Sequence, residues 1–564
     1  MLFFFLAFAA LLLPSVIGFG VVTSGNSLIV TTDGGLVFTV DQTTGDITSL
    51  KFNGIEAQDQ SGKHSQISSG IGASCTWVQT GNESNYIKIT CTTGTLIQQV
   101  LDSLLYSNII TKKFQFSYYV ARRNDPAIHM ATFTTAEPTV GELRYIARLN
   151  RATVPNGFPQ SDVNGGTAIE GSDVFLVNGQ TRSKFYSSRQ FIDDAVKGVT
   201  GPNIGVFMIV PGTGFESSSG GPFFRDIDNQ GSAQQELYFC ELHCINQYSS
   251  ANQSLFSLAD MNSGHTNTEA DRQGMHGPYA LWFTTGAAPS GAIDTTFWDG
   301  LAVSGWVTQS GRGRVTGTAT GIASTFSTLQ SIGFSNSVAE YWVRTDTSGK
   351  FTSPFMKPGT YTMTLYKVEL AVATQTVTVT AGGLLTSNIA SAEANPAVIW
   401  QIGDFDGTPR GFLNADMIER MHPSDTRMHS WGPVTFTIGQ AVSSFPMAIF
   451  QAVGPVTIRF TLASNQGGAR TLQIGTTLAF AGARPQITLN GFTGPAPSPP
   501  SQPDSRGVTR GTWRGNNIMY TVSIPSGVLL TGSSVNTLTI NPISGSSGDG
   551  FLSPNFVFDA IRLF

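Results

Sequence analysis

From about residue 19 onward the chain repeats one pattern: a short run of β-branched and aromatic residues, then a turn of Gly, Ser, Thr or Asn. Leu36 to Val40, Tyr86 to Cys91 and Val206 to Val210 are such runs, as are Val456 to Leu462, Thr471 to Phe480, Met519 to Ile524 and Asn536 to Ile540. β-branched and aromatic side chains fit a pleated, half-buried surface, and glycine supplies the positive φ that tight turns demand. Helix formers are scarce: only 12% of residues are charged, and 62 are glycine. The pattern predicts an all-β protein of short strands. At roughly 150 residues per domain, a chain of 564 residues divides into three or four domains. A net charge of −5 makes no electrostatic case for nucleic acid, and an anionic ligand would need a local basic patch.

Shifts in the pattern mark the divisions. A first section runs from 19 to 300. Gly305-Trp306-Val307 and a series of glycines then open a second, 301–384, in which Tyr361 to Leu370 and Thr376 to Thr380 read as strands. Its length fits a fibronectin- or immunoglobulin-type sandwich. A third section, 396–564, contains the Pro/Ser-rich loop Pro495 to Pro503, and its last run, Asn555 to Phe564, is expected to return to the core as in a jelly-roll. Ahead of these, residues 1–18 read as a signal peptide. Positions 2–13 are wholly apolar, and Val16 and Gly18 are small enough for cleavage after Gly18, although a charged leader is missing. The run is short for a membrane span and no later stretch is long enough to cross one, so the expectation is a secreted protein with no membrane partner.

The cysteines support secretion. Residues 72–80 and 86–92 alternate like two strands; if their hairpin centres on Glu83, Cys75 falls opposite Cys91. Opposed strand residues lie about 4.5–5.5 Å apart, within disulfide range. Two buried free thiols are the alternative. The sequon Asn82-Glu83-Ser84 sits at the hairpin tip, so Asn82 is an expected glycosylation site. Cys240 and Cys244 have no such assignment.

Several strings go further. Gly141 to Arg148 (GELRYIAR), Gly171 to Leu176 (GSDVFL), Thr181 to Tyr186 (TRSKFY), Gly274 to Tyr279 (GMHGPY), Ile402 to Gly407 (IGDFDG) and Met421 to Asp425 (MHPSD) follow in order along nearly the whole mature chain. Together they resemble the fungal rhamnogalacturonan lyases of polysaccharide lyase family 4. The resemblance implies a large mutarotase-like β-sandwich holding the active site, then a fibronectin III-like sandwich, then a jelly-roll resembling a carbohydrate-binding module. It implies an endo-acting enzyme on the rhamnogalacturonan I backbone of pectin, which breaks the rhamnose–galacturonate bond at C4 of galacturonate by β-elimination. The alternative on the same scaffold is a non-catalytic pectin- or carbohydrate-binding protein, since fold does not fix function. A glycoside hydrolase would need two active-site carboxylates, and no acidic pair stands out.

Elimination needs a cation on the uronate carboxylate, a base for the C5 proton and an acid for the leaving oxygen. By resemblance, Lys184 is the base; by residue type alone it would be an ordinary surface lysine. Arg144 and Arg148 look like the carboxylate clamp, because guanidinium binds carboxylate bidentately and stays charged. Four residues apart, they share a face on either a helix or a strand, and a structural ion pair with Glu142 or another acid is the alternative. His276 looks like the general acid; its Gly- and Pro-rich surroundings suggest a loop. An imidazole, with an ordinary pKa of about 6.5, donates at mildly acidic pH. His265 is a weaker candidate for the same pocket. The sequence departs from the family pattern at Asp271 and Gln273, where a tyrosine and an apolar residue are expected, and at Thr44-Gly45-Asp46, which lacks a cysteine expected to partner Cys91. No His/Cys cluster suggests zinc. Asp404-Phe405-Asp406-Gly407 matches the start of a calcium loop, but no glutamate follows at the right spacing and we read a turn. No cofactor is required, calcium has no support, and a monomer is expected.

Two stretches, 100–120 and 240–260, break the strand pattern and look like insertions of about twenty residues relative to the family. We read both as retained introns: Gln99-Val100 can be encoded CAG-GTN and Cys240-Glu241 TGT-GAG, each with the form of a splice donor. On that reading Cys240, Cys244 and the Asn252 sequon lie outside the working enzyme. Genuine surface loops are the alternative.

If the chain is secreted through the glycosylation pathway, Asn82→Gln should remove one glycan. The mass of the secreted protein would then fall by one oligosaccharide, and an unchanged mass would show that the hairpin tip is unmodified.

Overall fold

The computed structural model describes residues 18–61, 63–67, 73–96, 112–135, 143–157, 165–170, 174–183, 191–193, 196–212, 216–217, 220–223, 227–231, 235–242, 272–418, 421–503 and 507–564. Among them there is no α-helix, only strands, turns and short 3₁₀ segments, as the scarcity of helix formers requires.

The first section is built on a seven-stranded antiparallel sheet in the order Val196–Gly201, Ile204–Ile209, Gly274–Thr284, Ala127–Thr134, Lys112–Arg122, Tyr86–Leu96, Ser74–Thr80. Two other sheets cover its inner face. One is a five-stranded meander in sequence order from Gly20–Ser24 to Ile55–Glu56, whose Phe52 ring lies 5.9 Å from Phe283. The other has the order Ile227–Gly231, Gln235–Leu242, Leu143–Leu149, Gln66–Ile67, and its Tyr145 ring lies 6.1 Å from Tyr279. Period-2 alternation sends Leu28, Val30, Phe38, Val40, Tyr145, Ala147, Tyr279 and Leu281 into one core. A small sheet, Thr167–Glu170, Val174–Val177, Gln180–Ser183, completes this section.

The second section is a sandwich of two four-stranded sheets, one centred on Arg314–Thr320 and the other on Gln330–Ser335 and Gly359–Lys367. Its buried Val315, Phe334 and Met363 belong to the same continuous core as the first section. The third section has a separate core between two five-stranded sheets. The closing run does return: Asn555–Leu563 pairs with Arg470–Phe480, Trp400–Gly403 and Ala448–Phe450. The Asp404–Gly407 segment is a bend, with Gly407 at a φ of 82°.

The hairpin is as the sequence predicts. Cys75 pairs with Cys91 in register and the two form a disulfide, with Cα atoms 4.0 Å apart. Asn82 lies in the exposed Asn82–Ser84 turn. A Cβ built on Gly45 would stand 3.6 Å from the Cys91 sulfur. The segment where the family pattern places a cysteine thus passes beside Cys91, and Cys75 is the partner of Cys91 from across the hairpin.

Residues 100–120 are not foreign to the fold as a block. Lys112–Arg122 is an interior strand, paired along its length with Tyr86–Leu96 and along part of it with Ala127–Thr134. It escaped detection because both of its faces are buried, Tyr119 and Ala121 in the main core and Tyr118 and Val120 in an outer cluster with Met275 and Trp298. Burial on both sides erases the alternation that marks a strand. Cys240 to Leu242 likewise finish the strand Gln235–Leu242, and the Cys240 backbone stands opposite Arg144, so Cys240 is part of the working fold. Residues 97–111 and 243–271, with Cys244, Asn252 and His265, lie outside the described residues.

The disulfide closes a 16-residue separation, and a loop of this size stabilises by about 3 kcal/mol through the unfolded chain. Replacing Cys75 and Cys91 together by Ala should lower the calorimetric transition of the first two sections. The transition of the separately cored third section should stay in place.

Candidate active site

The strand Leu143–Leu149 is held on one side by Gln235–Leu242 and on the other by Gln66–Ile67. Of Arg144 the backbone is described, opposite Cys240. Arg148 alternates with Ala147 and Leu149, which face the core, so its side chain leaves from the other face of the strand; it is nonetheless only 8% exposed. The Arg148 N–H donates to Ser65 Oγ at 2.8 Å, and its carbonyl accepts from the Asp59 N–H at 3.1 Å. Asp46 feels Arg148: burial pushes this carboxyl up, while His64 and then Arg148 pull it back. Arg148 therefore lies within electrostatic reach of Asp46. Glu142, the other acid considered, lies outside the described residues.

His276 is not on a loop. It lies in the strand Gly274–Thr284 and is fully buried. The Gly-Pro pair that suggested a loop instead makes a β-bulge. Met130 pairs with Tyr279 and Thr132 with His276, so one extra residue is inserted on the His276 side. A Cβ on Gly277, at φ 114°, would lie 3.0 Å from the Ala131 Cα, so only glycine fits there. Pro278 follows in the bulge, where the ladder needs no donor. The consequence is directional. Without the bulge, His276 and Tyr279 would face opposite sides; with it, His276 shares the inner face of the sheet with Tyr279, while Met275 joins the outer cluster.

The approach to His276 is braced by the second section. Arg272 pairs with Glu340 at 3.2 Å and donates from Nε to the Asn336 carbonyl at 2.8 Å. The Glu340 N–H donates to the Glu216 carbonyl at 2.9 Å. Glu216, fully buried, binds Arg312, Lys357 Nζ at 3.0 Å and the Tyr341 hydroxyl at 2.8 Å. Ser217, next in the chain, lies against Gly274, whose Cβ would be 3.3 Å from its Oγ. Gln273 accepts a hydrogen bond from Thr134 Oγ1 at 2.9 Å. Burial alone would raise the Glu216 carboxyl, but Lys357 and Arg312 overcome it and hold the group below its ordinary range. Sequence reading missed this cluster, because its members are scattered across two sections.

Lys184 lies outside the described residues, as do Asp271 and His265. The strand that leads to Lys184 is described. Val174–Val177 and Gln180–Ser183 form a hairpin across Asn178 and Gly179, whose φ angles of 51° and 77° are those of a two-residue primed turn. Thr181 in that strand is bonded to Asp425 and Arg427 of the third section. This contact too was invisible in the sequence.

Among the described residues, no group of three or more His, Cys, Asp or Glu is arranged to hold a metal. Around the Asp404–Gly407 bend, Asp559 Oδ1 accepts the N–H groups of Asp406 at 3.0 Å and Gly407 at 2.8 Å. Burial first, then repulsion from Asp406, pushes Asp559 up to about 8; Asp406 rises to about 6, again mainly by burial.

The profile "Rhamnogalacturonan lyase B, N-terminal" matches residues 19–305. "Polysaccharide lyase family 4, domain II" matches residues 311–387, and "Polysaccharide lyase family 4, domain III" matches residues 398–563. The rhamnogalacturonate lyase A of Aspergillus aculeatus is 49% identical over 97% of this chain and 96% of its own. The probable rhamnogalacturonate lyase A of Aspergillus fumigatus shows the same identity and coverage. That of Aspergillus terreus is 50% identical over 96% of this chain and 94% of its own.

The Glu216 cluster makes a stability prediction. Glu216→Gln strands Arg312 and Lys357, whose side chains are 2% and 12% exposed, and losing one partner of a buried pair costs about 3–5 kcal/mol. Because the folded pKa is depressed, the contribution is complete above the ordinary value of 4.5 and is lost as pH falls below it. Calorimetry should show a lower melting temperature for the variant at neutral pH, and a gap from wild type that narrows on acidification.

Proposed function

The chain belongs to polysaccharide lyase family 4, among the rhamnogalacturonan lyases, and from that membership we propose that it cleaves the rhamnogalacturonan I backbone by an endo-acting β-elimination. The observation that carries this is continuity. Relatives named as rhamnogalacturonate lyases align over nearly the whole of both chains, through all three sections in order. A protein that only binds carbohydrate is not favoured, since these relatives are named as enzymes.

The proposed step removes the galacturonate C5 proton, expels the C4 oxygen toward rhamnose and leaves a C4–C5 double bond. That proton is only weakly acidic, because the neighbouring carboxylate is anionic and resists further negative charge. Arg144 and Arg148 are assigned the carboxylate, where a fixed guanidinium stabilises the enolate-like charge as it develops. Lys184 is assigned proton abstraction, for which it must be neutral; the two arginines supply the positive potential that favours that form. His276 is assigned protonation of the departing oxygen. Its place in a bulge supports this role, because bulges re-aim single side chains and occur beside active sites. We further propose that the enzyme acts outside the cell, as a monomer, with no cofactor.

Lys184→Ala and His276→Ala should each lower turnover about 10²–10⁴-fold; His276 is fully buried, so its variant should also melt lower, and activities are compared below both transitions. The assay follows the ultraviolet absorbance of the conjugated uronate product on de-esterified rhamnogalacturonan. Full activity in either variant removes that residue from the mechanism, and cleavage without the absorbing product would mean hydrolysis. Arg144→Lys keeps the charge but loses the planar fork, so its turnover should also drop.

A further inference from the structure

The hairpin that leads to Lys184 presents a sheet edge. Among the described residues, in the order Thr167–Glu170, Val174–Val177, Gln180–Ser183, the last strand has a neighbouring strand on one side only. Val177 and Gln180 close the two-residue turn, so that pair exchanges hydrogen bonds within the hairpin; Leu176 and Thr181, the next pair, do not. The N–H and carbonyl of Thr181 therefore point outward from the edge. Outward backbone groups of an edge strand need a partner when they are buried, and Thr181 is 1% exposed.

The third section supplies that partner. Asp425 Oδ2 accepts the Thr181 N–H at 2.9 Å and also the Thr181 hydroxyl. Arg427 Nη2 donates to the Thr181 carbonyl at 3.1 Å. One acceptor and one donor thus meet the strand edge as a neighbouring strand would. The pair is itself rigid. Asp425 Oδ1 accepts from Arg427 Nε at 2.9 Å and from the Arg427 backbone N–H at 2.8 Å, and its Oδ2 accepts from Nη2 at 2.6 Å. Asp425 is fully buried as a side chain. Burial alone would raise its carboxyl, but hydrogen bonds from Arg427 and Thr181 hold it well below the usual carboxylate range, so it stays charged.

We propose that Asp425 and Arg427 are positioning residues for the reaction: by fixing Thr181 at the strand edge, they set where the chain delivers Lys184. The inference rests on the assignment of Lys184 as the base. Lys184 follows Thr181 by three positions, at most about 11 Å of chain. A general base must come within hydrogen-bond reach of the proton it takes, and a misplacement of about 1 Å can cost about 100-fold in rate. The third section then takes part in positioning the catalytic base.

The test uses the full chain and soluble de-esterified rhamnogalacturonan. Thr181→Val removes the hydroxyl at nearly constant shape, Thr181→Ser keeps it, and Asp425→Ala removes the whole contact. A misplaced base lowers kcat and leaves substrate binding alone. Asp425→Ala should lose about 10–100-fold in kcat with KM within about twofold; Thr181→Val should lose less, and Thr181→Ser should restore most of the rate. Should Asp425→Ala fail to fold, the Thr181 pair decides by itself. Unchanged kcat in Thr181→Val and Asp425→Ala, with Lys184→Ala inactive, overturns the positioning role and leaves the base assignment standing. A rise in KM alone also overturns it, because the contact would then serve polysaccharide binding. An active Lys184→Ala would instead remove the base assignment on which the inference rests.

Discussion

The ring contact between Tyr145 and Tyr279 joins the two sheets from which the described part of the candidate site is built. Each ring is buried on a strand that carries a candidate residue, Arg148 on one and His276 on the other. Burying two aromatic side chains against one another contributes both area and a preferred geometry. It also fixes register, since a one-residue slip of either strand would turn its candidate residue to the opposite face. The bulge at Gly277-Pro278 acts within that constraint. It shifts the parity of Gly274–Thr284 locally, so that His276 enters the inner layer while the rest of the strand keeps its core pattern.

Charge is used sparingly in this chain, and among the described residues the most buried ion pairs stand where sections meet. Glu216 with Arg312 and Lys357, and Arg272 with Glu340, bind the first section to the second. Asp425 and Arg427 bind the third to the hairpin before Lys184. Arg514 and Glu369 add a buried pair, at 2.8 Å, between the second and third. Buried pairs contribute little net stability relative to well-packed apolar residues, because desolvation opposes the attraction. They are demanding about geometry, since a misplaced partner leaves a bare charge in the interior. An architecture of three β-sections joined in this way has defined relative positions, and sites on segments near the joints inherit them.

The sequence was sufficient wherever the deciding contacts are local. Alternation and turn residues are properties of neighbouring positions, so the all-β class, the hairpin centred on Glu83 and the Cys75–Cys91 pairing could all be read directly. The ordered strings from Gly141 to Asp425 identified the family. Tertiary structure decided what depends on two faces or on distant partners. Lys112–Arg122 is buried on both sides, so its strand signal vanished in the sequence and the segment passed for an insertion. Gly277 and Pro278 mark a bulge as readily as a loop, and only the pairing with Ala127–Thr134 distinguishes them. Thr181 and Asp425 stand 244 residues apart, and Glu216 and Arg312 stand 96 apart. No local preference encodes such pairs, because their energies arise only after folding has removed both partners from water.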